Sequence, residues 1–163
     1  EHASSRGVRF AKMNSKNFSI RNLILCDDIR TEDNGKNLII GVYTGEIIIR
    51  EAPFVLNMAL MFDIVVDEPG AHDFRLRMRV APDDFEVFNV GIRATVPTKG
   101  ARGHLNMSGF TVRFSQPGEL IIELKPEGKD WINLETKKVA TVDSLNALQN
   151  EQQQTRIKLE PIP

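Results

Sequence analysis

Near the front of the chain, Asp27, Asp28, Glu32 and Asp33 place four carboxylates within seven residues. Hard oxygen donors at that density are the raw material of a calcium site, which takes six to eight oxygens, largely from loops. Their spacing does not follow the calcium loop of a helix-loop-helix hand, and Arg30 and Lys36 would neutralise part of the charge. The competing reading is architectural: aspartates at strand ends accept backbone N–H bonds and solvate a turn. A second patterned group lies on residues 73–81, DFRLRMRVA, where Arg75, Arg77 and Arg79 alternate with Phe74, Leu76, Met78 and Val80. On a strand these guanidiniums would share one face about 6–7 Å apart. A hairpin centred near Asp84 would add Arg93 to that face. Such a row binds phosphates or an acidic partner, or it pairs with carboxylates on neighbouring strands, Glu123, Glu119 and Glu46 being the candidates.

Groups for covalent or metal chemistry are sparse. His2, His72 and His104 are widely separated and show no ligand spacing; the last two fall in expected turns. Cys26 stands beside two aspartates, whose charge disfavours a thiolate, so it reads as a buried structural cysteine. No nucleophile elbow, phosphate loop or Cys-x-x-Cys pair occurs. Trp131 could stack on a sugar, though a lone Trp more often packs at an edge or in a core. No cofactor is implied, and an enzyme is the last of the functional readings.

These side chains must be held by short strands. Apolar runs recur about every 8–15 residues with turn signals between them. Leu23–Cys26 and Leu38–Tyr43 flank Asn34-Gly35, a signal for a two-residue type I′ hairpin. Thr44-Gly45 would then reverse the chain into Glu46–Ile49, completing a three-stranded meander. Gly41 suggests a bulge or a close backbone approach. Further strands are expected at 58–66, 73–81, 85–96, 110–115, 120–124 and 129–135, with a frame slip at Val87-Phe88 that suits either a bulge or the true strand entry. Residues 97–107 read as a longer loop. With no convincing long amphipathic helix, the expected class is all-β: an antiparallel β-sandwich, immunoglobulin-like or related, of about eight or nine strands. Residues 1–17 read as a polar arm or extension, with Met13 suited to a native start. Residues 18–140 form the domain. Residues 141–163 read as a Gln-rich tail, either mobile or carrying a short helix at 143–155 capped by Asp143 or Ser144.

Composition narrows the setting. The chain has 163 residues, a net charge of −1 and a single cysteine. Near-neutral charge gives no global attraction to nucleic acid or anionic membrane, and no apolar run approaches the ~20 residues of a membrane span. One cysteine excludes an intrachain disulfide and fits a reducing compartment.

The segment Cys26-Asp27-Asp28-Ile29-Arg30, followed by Asn34-Gly35-Lys36 and Ile40-Gly41-Val42-Tyr43, resembles a family of short uncharacterised bacterial proteins. The resemblance covers about 30 residues, carries no activity, and implies a compact β fold in a bacterial cytoplasm. The leading expectation is therefore a cytoplasmic, non-enzymatic binding or protein-interaction module, with a protein partner or a second copy as its ligand. Arg75, Arg77, Arg79 and Arg93 are its first candidate surface. The alternative is a calcium or small polar ligand sensor built on Asp27, Asp28, Glu32 and Asp33.

Overall fold

A computed structural model of the chain describes residues 13–14 and 18–147. Period-two alternation dominates them, and they form eleven strands. One sheet contains β1 (Met13–Asn14), β2 (Phe18–Cys26), β6 (Phe54–Val66) and β9 (Arg102–Phe114), in that spatial order. A five-stranded sheet runs β5 (Ile47–Ile49), β11 (Ile132–Thr141), β10 (Gly118–Pro126), β7 (Gly70–Ala81), β8 (Phe85–Val96). A two-stranded ribbon pairs β3 (Asp28–Thr31) with β4 (Asn37–Ile40). The protein is mostly β, and the sheet curls like half a barrel. The two strands beyond the nine expected are short ones: β1 and β3 span two and four residues.

Both larger sheets turn one face into a common core. Leu25, Met58, Leu60 and Phe62 from one sheet and Leu76, Met78, Leu120 and Ile122 from the other are almost fully buried in a single cluster. Each such side chain contributes about 1.5–3 kcal/mol through removal from water. On β7 the arginines alternate outward as its pattern demands. On β8 the frame slip is real: Met78 opposes Phe88 while Arg79 opposes Glu86, leaving Val87 as the extra residue of a bulge. β6 differs, being buried continuously from Met58 to Val66. Its even positions face the main core. On its other face Ala59 and Met61 join Cys26 and Ile29 in a second, smaller core.

That second core docks the β3–β4 ribbon, whose turn departs from expectation. Gly35 N–H donates to the Glu32 carbonyl (2.9 Å) and Glu32 N–H to the Lys36 carbonyl (2.8 Å). Gly35 is left-handed at φ 80°, and Asn34 is not among the left-handed residues. A type I′ turn needs two, so the connection is the three-residue kind with glycine in the left-handed place. The Asn34 side chain instead accepts the Lys36 N–H at 2.9 Å. Gly41, at φ 68°, passes so close to the Asp27 carboxylate that any Cβ there would collide with it, the close approach anticipated for it.

Five other expectations are corrected. The three-stranded meander does not form: Tyr43 N–H donates to the Leu25 carbonyl (2.9 Å), and the chain crosses to the other sheet. There β5 pairs in parallel with β11, so the fold is not purely antiparallel; Ile47 and Ile49, fully buried, anchor the pairing. Much of residues 97–107 is strand, not loop, since Arg102–Met107 pairs with Leu60–Val65 on β6. Its glycines mark sheet contacts: Gly103 opposes Ile64, and Gly109 sits where the β6–β9 register shifts. The last strand runs on to Thr141, beyond the expected end at residue 135. A short helix covers residues 142–147, and its N-cap is Thr141, whose Oγ1 accepts the Ser144 N–H at 3.3 Å. Residues 1–12, 15–17 and 148–163, including most of the expected arm and tail, lie outside the described residues.

Candidate functional site

The arginine row occupies the outer face of the five-stranded sheet and is occupied from within. Glu123 lies directly across from Arg77 in the β7–β10 register. Its Oε2 accepts from Arg77 Nε at 2.7 Å and from Arg79 Nε at 2.9 Å. Arg79 also reaches Asp84 at 3.0 Å. Arg93 opposes Asp73 and forms a two-pronged pair with it, both contacts at 2.7 Å. Arg75 Nε donates to the side-chain oxygen Oδ1 of Asn89 at 3.0 Å. Burial pushes the Glu123 carboxyl upward, but the Arg77 and Arg79 hydrogen bonds outweigh it and hold the group below its ordinary range. The Arg77 guanidinium also lies 4.0 Å over the Trp131 ring. An anionic ligand at Arg77, Arg79 or Arg93 would have to displace ion pairs already made, while Arg75 bonds only a neutral amide.

The acidic residues do not converge. Asp27 accepts the Tyr43 hydroxyl. Asp28 pairs with Arg30 at 2.8 Å, and Glu32 accepts from the Asn34 amide at 3.1 Å. Asp33 lies exposed in the ribbon turn. Among the described residues no group of three His, Cys, Asp or Glu side chains could hold a metal ion. Cys26 is fully buried, and its thiol rises to about 11 through burial and the neighbouring Asp27 charge. That is the reverse of an activated nucleophile.

The structure also assembles a constellation that the sequence reading passed over. Asp63, 5% exposed, sits on the outer face of β6. His104 Nδ1 meets its Oδ1 at 2.8 Å, and the Asn22 amide donates to its Oδ2 at 2.6 Å. Arg102 stands 3.6 Å away. Asn22 reaches in because it is left-handed, at φ 53°, where the β2–β6 register shifts. The chain of contacts continues outward: His104 Nε2 faces the Asn37 amide nitrogen at 3.3 Å, and the Thr31 hydroxyl donates to the Asn37 oxygen at 3.0 Å. With Asn37 donating, His104 Nε2 accepts and Nδ1 carries the proton towards Asp63. The network thus ties the ribbon to the sheet. His72 and His104 both lie in strands rather than turns. The signal available in the sequence was a lone carboxylate inside the apolar run 58–66.

Among the described residues the ribbon also carries exposed apolar side chains. On the ribbon, Ile29 and Ile39 pack towards the sheet, while Leu38, Ile40 and the following Val42 are 49%, 37% and 46% exposed. Arg30 and Asp28, ion-paired to each other, stand across from Leu38 and Ile40. The result is an alternating apolar row with a charged border. Among the described residues no helix is long and apolar enough to cross a membrane. No curated protein matches the chain. Residues 21–135 match the model of a family of unknown function, DUF6941, and the chain belongs to that family.

Proposed function

We propose that the protein is a non-enzymatic interaction module whose contact surface is the outer face of the β3–β4 ribbon. The observation that carries this reading is the exposure of Leu38 and Ile40 at alternate positions of β4, with Val42 exposed just beyond it. A solvated ribbon face ordinarily alternates to polar residues, and an apolar row with a polar rim is the makeup of a protein contact. The arginine row becomes the second surface, because its guanidiniums are engaged within the sheet. The two sheets about one core support a sandwich related to the immunoglobulin type. The opening motif and the lone buried thiol of Cys26 support a bacterial cytoplasmic setting.

The test pairs Leu38→Lys with Ile40→Thr. Light scattering of the wild type shows whether copies associate, and a photo-crosslinker at position 38 captures a protein partner from native extract. The double variant is expected to lose the association while melting within about 2 °C of the wild type, since exposed substitutions shift stability by about 0.5 kcal/mol. A monomeric wild type that captures nothing through position 38 removes the reading.

A further inference from the structure

We propose that the open end of the space between the sheets binds a small amphipathic cation, an aliphatic or aromatic body carrying an ammonium or guanidinium group. A cavity of about 530 Å³ opens there, within the range of about 300–1,000 Å³ typical of small-molecule sites. Its walls come from both sheets: Phe18 and Val66 from one, Phe74 and Ile132 from the other. Phe18 and Phe74 meet edge to face with ring centres 5.5 Å apart. These apolar walls suit the body of the ligand.

The rim selects the head group. Asp73, Glu127, Lys129, Asp130 and His72 surround the cavity. Asp73 is neutralised by its two-pronged pair with Arg93. Among the described residues neither Glu127 nor Asp130 forms a salt bridge; the Arg93 charge also acts on Glu127, and the three carboxylates against Arg93 and Lys129 leave the rim one net negative charge. His72 Nε2 lies 2.8 Å from the Glu68 carbonyl, so it donates there. The turn carrying these groups is held in place: Glu127 N–H donates to the Asp73 carbonyl at 2.9 Å and Lys129 N–H to the Pro126 carbonyl at 3.1 Å. A carboxylate ligand would meet a net negative rim, whereas a cation meets the two exposed carboxylates of Glu127 and Asp130. The site is independent of the ribbon face, because Phe18–Val66 and Cys26–Ala59 lie at opposite ends of the β2–β6 pairing.

The experiment titrates the full chain with 2-phenylethylammonium, 2-phenylethanol and 3-phenylpropionate, following backbone amide NMR signals. The ammonium is expected to shift Phe74 and Ile132 saturably and to bind most tightly of the three. Ala71→Trp, which fills the mouth from an exposed position, is expected to abolish those shifts while distant signals stay in place. Glu127→Gln and Asp130→Asn are each expected to weaken the ammonium by about 2–5-fold and to leave the alcohol unchanged. Equal binding of all three probes, shifts mapping elsewhere, or indifference to both carboxylate variants would overturn the proposal.

Discussion

Replacing Asp63 by Asn keeps the outline of the side chain and removes its charge, which tests whether the buried carboxylate organises the outer face of β6. Both oxygens accept in the wild type, Oδ1 from His104 and Oδ2 from Asn22. An amide has only one acceptor, so one of those donors is left facing an N–H. If His104 switches tautomer to relieve this, its Nε2 gains a proton and the conflict passes to the Asn37 amide 3.3 Å away. Hydrogen bonds to a charged group contribute about 1.5–3 kcal/mol each, and the amide keeps one neutral bond of about 0.5–1.5 kcal/mol. The net loss is then roughly 2–4 kcal/mol, or about 6–12 °C in melting temperature for a chain of this size. The pH dependence has a definite sign. Burial raises the Asp63 carboxyl, but hydrogen bonds from His104 and Asn22 and the Arg102 charge outweigh it, so the folded value lies below the ordinary one. A carboxyl depressed on folding contributes stability above its unfolded value, about 3.9, and loses it as pH falls through the folded value. Urea unfolding of wild type and Asp63→Asn should therefore differ most near neutrality and converge below about pH 4. A difference under about 0.5 kcal/mol near pH 7, or one unchanged at pH 3, refutes the reasoning.

Two further substitutions test the sheet and the ribbon. Glu123→Gln leaves Arg77 and Arg79 sharing a neutral acceptor and is expected to destabilise by about 1–3 kcal/mol. Because the Glu123 carboxyl is held below its ordinary range, that difference should fade as pH falls below about 4; calorimetry at two pH values checks it. Gly41→Ala combines a left-handed φ of 68° with a collision against the Asp27 carboxylate, whereas Gly35→Ala meets open space at φ 80°. Denaturant titration should rank Gly41→Ala as the worse, at about 2–4 kcal/mol against about 1–2 for Gly35→Ala.

Alternation along one strand is a local property, and it was readable. Residues 73–81 announced an inward apolar row and an outward arginine row, and the slip at Val87-Phe88 announced the bulge that β8 carries. Glu123 was among the carboxylates expected to face the arginines, but that it takes two of them depends on the β7–β10 register. Gly35 was read correctly as a turn residue and incorrectly as half of a type I′ pair. Neighbouring residue types bias a turn, while the hydrogen bonds of the flanking strands select its length. Within residues 97–107 the strand from Arg102 onward is hidden in the sequence because glycine has no side chain to reveal alternation, and Gly103 marks close packing against Ile64.

What the sequence determined by itself was the β class, most strand positions, the outward arginine row and the burial of Cys26, all set by side-chain period and polarity over a few residues. Only the tertiary structure decided that β5 joins the far sheet in parallel, that the ribbon covers Ala59 and Met61, and that Leu38 and Ile40 face solvent. It alone joined Asn22, Asp63 and His104, which stand 41 positions apart at each step. The physical reason is common to all of these: pairing partners and sheet faces are chosen by which distant surfaces bury each other. No local pattern records that choice.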